Sequence, residues 1–307
     1  MELNAKAKET DHNVTKVQGG LSMGFSAKTC EKIAFALLGL STLTVVGFVL
    51  VILGYIIYNG YSVINIGFLT EMPRFMMTEG GIYPAIIGTI ALIIGSMAVA
   101  LPMGVMAAIY LNEYAEESRT TWLIEMAVNN LAGIPSVVFG LFGLALFVKY
   151  FGFGSSILSA SLTLALLIIP VIIRSTEEAL IAVPKEYRDS SLALGAGKWQ
   201  TIRHVVLPAA IPGIATGSVL SIGRVAGETA PILFTGVAYY LPRIPDSLSS
   251  QFMALPYHLF VLATSGTNIE KTRPIQYGTA LVLLFIVLIL NFVAVLIRRH
   301  YRNKLKV

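Results

Sequence analysis

Apolar residues in this chain do not alternate with polar ones. They run in long blocks that contain no charge, over 33–58, 80–112, 126–148, 150–173, 205–223 and 274–297. About 20 helical residues cross the ~30 Å hydrocarbon core of a bilayer. The pattern therefore predicts six transmembrane helices, over about 33–58, 82–110, 123–148, 155–173, 205–228 and 275–297. The first block is too long for the apolar part of a signal peptide and follows a polar stretch, so it is read as a span. Pro84, Pro102, Pro135 and Pro170 fall inside blocks and are read as tolerated there, because neighbouring helices can re-satisfy freed backbone groups.

Composition agrees. Of 307 residues, 55% are apolar and 13% charged, against about a quarter charged in a soluble domain. Mean hydropathy is +0.75. Disorder, coiled coil and a secreted disulfide scaffold are excluded. The one cysteine, Cys30, makes neither an internal disulfide nor a cysteine metal cage.

The net charge of +5 is a matter of topology. Six spans put both termini on one side. There, Lys6, Lys8, Lys16, Lys28 and Lys32 lie in the tail 1–32, and Arg298, Arg299, Arg302, Lys304 and Lys306 in the tail 298–307. Arg174, Lys185, Arg188, Lys198 and Arg203 lie in the connection 174–204, with Arg119 in the turn 113–121. The other side holds Arg74, Lys149, Arg243, Lys271 and Arg273. That bias places both tails in the cytoplasm and leaves no need for a nucleic-acid partner. Glu113, Glu116 and Glu117 beside Arg119 read as a solvated surface. His12, His204, His258 and His300 have no metal spacing. The 236–273 connection reads as the longest external loop, irregular around 241–245.

The 174–204 connection is mixed apolar and charged at helical spacing, and Pro184 predicts a short helix on each side. Such a helix can lie on the membrane surface or dock in a groove of another protein; thirty residues is long for a passive linker, so docking is favoured over a solvated loop. Gly195-Ala196-Gly197-Lys198 has the look of a phosphate-binding loop, but Trp199 stands where Ser or Thr is required. The chain is therefore not expected to bind ATP by that route, any ATPase would be a partner, and no cofactor is expected on this chain.

Arg224 and Glu228, four residues apart, are expected to share a helical face inside the fifth span. Intramembrane charges mark function by default, a packing ion pair being the alternative. Gly213/Gly217 and Gly223/Gly227 have small-xxx-small spacing and read as helix packing. Ser218, Ser221 and Thr229 could bond an anion or their own helix carbonyls. One of Asn129 and Asn130 is expected to face the interior.

Two sets of residues carry a resemblance. Asp189-Ser190-Ser191-Leu192, then Gly195, and after nine residues Val205-Val206-Leu207-Pro208, resemble the EAA loop of ABC importer permeases, with Ser190 and Ser191 in place of its two alanines. The 131–140 stretch, Gly223-Arg224-Val225-Ala226-Gly227-Glu228-Thr229-Ala230-Pro231, and Ala254-Leu255-Pro256 resemble phosphate-transport permeases of the PstA type. The similarity covers about 30–300.

The resemblance implies an all-α, six-span, type I importer permease for inorganic phosphate. Asp189, Ser190, Ser191, Leu192, Gly195, Leu207 and Pro208 would form its ATPase-coupling loop, and Arg224, Glu228 and Thr229 would line the substrate path. Implied partners are a second, PstC-like permease, cytoplasmic ATPase subunits that use the ATP, an extracytoplasmic phosphate-binding protein and membrane lipid. Another oxyanion cargo such as sulfate or molybdate is the first alternative. A stand-alone secondary transporter would show paired inverted halves, and none is found; no catalytic constellation supports an enzyme.

Overall fold

The computed structural model describes residues 27–265 and 269–304. The expectations for Lys6, Lys8, His12, Lys16 and Lys306 lie outside them, as do the side chains of His300, Arg302 and Lys304. Twelve α-helices and a two-stranded hairpin occur among the described residues. In chain order they are α1 (Ala27–Gly60), α2 (Ile66–Thr70), strands β1 (Pro73–Arg74) and β2 (Glu79–Gly80), α3 (Tyr83–Ile109), α4 (Arg119–Ala132) and α5 (Ser136–Gly143). Then follow α6 (Ile157–Ile181), α7 (Lys185–Ala193), α8 (Lys198–Thr201), α9 (Leu207–Gly227), α10 (Ala230–Thr235), α11 (Leu255–Thr264) and α12 (Ile269–Lys304).

Five helices are long and apolar enough to cross a membrane, and a sixth crossing results if α4 and α5 with its wide-turn extension through Tyr150 count as one bent span. Residues 27–55, most of α1, form one compact unit; residues 56–304 form the other. In α1 the side chains of Phe35, Leu43, Phe48 and Val51 are exposed, as suits a helix whose solvent is lipid.

In the larger unit α6 is the central helix. Leu164, Leu167, Ile168, Ile172, Thr176 and Leu180 are buried on it. Against it lies a stripe of mostly small residues on α3, at Leu92, Ser96, Ala100, Gly104 and Ala108, Gly104 lying over Ile172, while the earlier Gly88 meets Met253 and Phe252 instead. The spacing of three and four keeps that stripe on one face. On the opposite side Gly213 and Gly217 of α9 lie directly over Ala179 and Ser175 of α6, so close that a Cβ on either glycine would overlap its neighbour. Without a hydrophobic drive between helices in lipid, such close backbone approach is what holds them. The second glycine pair behaves otherwise: Gly223 and Gly227 have nothing within 4 Å of a would-be Cβ. The packing expectation holds within this chain for the first pair; the second pair meets no other part of this chain.

Two expected spans differ from the helices found. The 123–148 block is two helices bent by 103°. Pro135 lacks an N–H and disfavours helix at the residue before it, so the chain breaks at Gly133-Ile134 and Pro135 starts α5 with φ −56 and ψ 138. Pro102 and Pro170, by contrast, sit inside continuous helices. The 155–173 span continues to Ile181, since Arg174 pairs with Glu177 at 2.7 Å along the same helix. The 236–253 loop closes over the start of α6, whose first N–H groups need partners. Ser156 donates to Thr235 O (3.1 Å), Ile157 to Ser250 O (3.1 Å) and Leu158 to Leu248 O (2.9 Å).

The α6–α9 contact predicts opposite outcomes for two alanines. Gly217→Ala should destabilise the isolated chain in detergent by about 1–3 kcal/mol through overpacking, while Gly223→Ala should leave the melting temperature unchanged or raise it. Thermal melts of the two variants check this.

Candidate functional site

Arg224 lies 17 residues along α9 from Leu207, about 26 Å at 1.5 Å per residue. Val225 and Ala226 beside it are buried, which turns the arginine sideways to leave its side chain 34% exposed. Helix α9 ends at Gly227, and Glu228 is already extended, with φ −72 and ψ 129. The expected shared helical face is therefore corrected: the pair meets across a helix end. Glu228, 16% exposed, accepts from Arg224 Nε at 3.4 Å. The two terminal guanidinium nitrogens make no hydrogen bond among the described residues. A planar fork held from behind and open in front matches the oxygens of an oxyanion.

Thr229 follows at the entry to α10, half-buried, its carbonyl accepting from Leu233 N at 3.1 Å. Gly140 of α5 touches Pro231 and Phe234 of α10, with no room for a Cβ, and so seats the segment that carries Glu228 and Thr229. Ser218 donates to its own helix carbonyl at Ile214 (3.0 Å). Ser221 is buried and its hydroxyl has no partner.

At the other end of α9 lies the sequence-predicted loop. Helix α7 begins after Pro184, as expected, and no residue on it is buried. Asp189, Ser190 and Leu192 are exposed; Ser191 reaches back to Thr201 at 2.9 Å. Gly195, at φ +85, ends α7, with its N–H bonded to Leu192 O (2.9 Å) and that of Ala196 to Ser191 O (3.2 Å). This left-handed closure costs a non-glycine residue about 1–2 kcal/mol. Leu207 and Pro208 start α9, Leu207 packing against Ile109, Leu180, Val183, Ile202 and Val206. Tyr187, Leu192, Leu194 and Trp199 are left as exposed apolar side chains, Leu194 at 89%. Lys198, from the loop-like Gly-Ala-Gly-Lys, lies over the Tyr114 ring at 4.9 Å.

Two charge clusters were not foreseen. Arg174 bonds Asn129 Oδ1 and Glu177 (both 2.7 Å), tying α6 to α4. A span boundary drawn at the first charge hid it; the continuing apolar period through Leu180 was the available signal. Neither Asn129 nor Asn130 faces the interior as expected, both being exposed on a helix that buries no residue in this chain. Arg188 pairs with Glu113 at 2.7 Å, the carboxylate only 10% exposed. Glu113 is thus no part of a solvated surface, because it sits in a wide turn that folds back under the end of α6. Separately, a cavity of about 360 Å³ in the crook of α4 and α5, lined by Leu131, Ile134, Phe139, Leu166 and Pro170, carries no charge and offers an anion nothing. Among the described residues no group of side chains could hold a metal ion. Burial pushes His258 down to about 4, and its Nδ1 lies 3.4 Å from Thr279 Oγ1.

A bundle of apolar helices, with an arginine fork at one end of α9 and an exposed helical loop at the other, defines a polytopic membrane permease. The family model for "binding-protein-dependent transport system inner membrane component" matches residues 100–307. The chain belongs to this family. It is 38% identical over 242 residues to "Phosphate transport system permease protein PstA 1" of Mycobacterium tuberculosis, covering 78% of each chain. It is 32% identical over 279 residues to "Probable ABC transporter permease protein YqgI" of Bacillus subtilis, covering 87% of this chain and 94% of that one. A subunit of a bacterial alginate ABC transporter shares the fold, with a TM-score of 0.59 at 14% identity over 90% of this chain and 96% of that one. So does a subunit of the MetNI methionine ABC transporter, with a TM-score of 0.54 at 19% identity over 72% and 94%.

The loop geometry makes a local prediction. Gly195→Ala meets no steric obstacle, nothing lying within 4 Å, so its whole cost is the left-handed backbone, about 1–2 kcal/mol. Amide exchange over 185–201 should rise by about tenfold or more at unchanged global melting temperature.

Proposed function

We propose that this chain is the permease subunit of an ATP-driven importer that moves inorganic phosphate across the cytoplasmic membrane. The observation that carries the reading is Arg224: a permanently charged fork, half-exposed at the end of a membrane helix, held through Nε by Glu228 with its terminal nitrogens open. Support comes from the name of the mycobacterial relative, a phosphate transport permease.

In this reading the basic side of the chain is cytoplasmic, with both termini and the 182–206 connection. The domain organisation is a six-span permease between two short basic tails. A second permease of PstC-like type pairs with this chain, and the open face around Gly223, Arg224 and Gly227 borders the path between them. Membrane lipid covers the outer apolar faces.

An extracytoplasmic binding protein delivers phosphate, and two ATPase subunits lie beneath. One of these receives Leu192, Leu194 and Trp199, with Asp189 and Ser190 at the rim. Phosphate then passes Arg224, which lowers the barrier to an anion where hydrocarbon would otherwise raise it. Glu228 keeps the fork turned toward the path, and Thr229 offers a hydroxyl beside it. This chain binds no ATP and catalyses no reaction; nucleotide acts on the partner, and the permease pair rocks between two rigid states.

Labelled uptake at micromolar phosphate tests this, in cells lacking other high-affinity uptake and depleted of the chain. Wild type should restore uptake and Arg224→Ala should not, at equal membrane abundance. Arg224→Lys, a point charge without the fork, should fall by at least about tenfold. Restoration of sulfate rather than phosphate uptake by wild type would move the assignment to another oxyanion.

A further inference from the structure

Helix α7 has no buried residue, yet it must move with the helix bundle if a partner pushing on it is to do anything to the path. Ser191 ties the end of α7 to Thr201 (2.9 Å); what fastens it to the ends of the long helices is Arg188. Its Nη2 donates to Glu113 (2.7 Å) and to Leu180 O (2.9 Å), its Nε to Glu113 (3.2 Å) and its Nη1 to Val183 O (2.8 Å). Glu113 lies in the wide turn Tyr110–Tyr114 that continues α3. Leu180 belongs to the last turn of α6 and Val183 lies just beyond its end. One guanidinium thus fastens α7 to the ends of both α3 and α6, with its side chain 19% and that of Glu113 10% exposed.

We propose that Arg188 and Glu113 form the clamp through which movement of the ATPase-facing loop reaches the permease core, Arg188 being a positioning residue and not a docking one. The proposal rests on reading 182–206 as that loop. Without the clamp, α7 would be held at its start by the chain through Ala182–Pro184 alone and at its end by the Ser191–Thr201 contact (2.9 Å), and its first turns would swivel when pushed. The clamp removes that freedom at two points, and it joins the push to α6, on which α9 and therefore Arg224 are seated through Gly213 and Gly217. Leu180 O already accepts from Val183 N (3.2 Å), and Arg188 adds a second donor to it and one to Val183 O just past the helix, so the arginine also complements the negative end of α6. Lysine cannot replace it, having no planar fork to reach one carboxylate and two carbonyls at once.

The test uses the complete transporter in liposomes, with phosphate uptake, ATP hydrolysis and co-purification of the ATPase measured on the same preparation. Glu113→Ala, Arg188→Lys and the gentler Glu113→Gln, which keeps shape and one acceptor oxygen, should each lower phosphate moved per ATP, by about tenfold for the first two. Hydrolysis and ATPase co-purification should stay within about twofold of wild type. The Glu113→Ala, Arg188→Lys double variant should be no worse than the worse single one, because both cut the same link. Transport per ATP within twofold of wild type in the singles would overturn the clamp. So would uptake lost together with ATPase co-purification in Glu113→Gln, which would make the pair part of docking or folding. The cargo reading is judged separately, by whether wild type takes up phosphate at all; if wild type carries another oxyanion, the same ratio is taken with that anion.

Discussion

The close approach of α6 and α9 is the constraint on which the rest depends. Where Gly213 and Gly217 meet Ala179 and Ser175, only the small side chains of those two α6 residues lie between the helices. Packing this tight resists sliding, and in lipid it substitutes for the hydrophobic drive that water would supply. It makes α9 an extension of the central helix, with the exposed loop at its beginning and Arg224 at its end. A displacement at one end is therefore a displacement at the other, which is what coupling a distant ATPase to an anion path requires.

Charges in this bundle follow one rule: each is seated where backbone geometry leaves something for it to do. Arg174 bridges α6 to Asn129 on α4. Arg188 donates to Leu180 O and Val183 O at the end of α6. Glu228 lies just past the end of α9, where the backbone has left the helix, so its carboxylate can approach Arg224 from the side. Of the three arginines, Arg224 is the one whose terminal nitrogens are left without a protein acceptor among the described residues. Removing one member of a partly buried pair leaves the other uncompensated, at a cost of several kcal/mol, so these residues answer to structure as well as function.

Much of this was legible in the sequence, for physical reasons. Long charge-free blocks have one stable solution in a bilayer, so the helices were readable. Pro184 and Gly195 mark the start and end of α7, because each restricts or permits a particular backbone state. The Arg224–Glu228 spacing survived even though its geometry was misjudged, since four residues along a helix and a turn just beyond its end span similar distances. What failed did so where three dimensions override local pattern. Pro135 and Pro170 both read as tolerated inside spans, yet Gly133-Ile134 before the first leaves the helix, while the second sits within the continuous central helix. Glu113 looked solvated beside Glu116 and Glu117, and only the fold brings Arg188 to it across 75 positions. Gly223 and Gly227 have the same spacing as Gly213 and Gly217, and only the fold shows that they meet no other helix of this chain.

The central claim is that Arg224 meets the transported anion. It is tested most directly by determining the structure of the assembled transporter, trapped with an ATP transition-state analogue and phosphate-loaded binding protein. The account predicts a phosphate inside the permease pair with two oxygens about 2.8 Å from the terminal nitrogens of Arg224 and Glu228 still on Nε. A phosphate path lined by other residues, with Arg224 folded wholly onto Glu228 or turned to lipid, would contradict it.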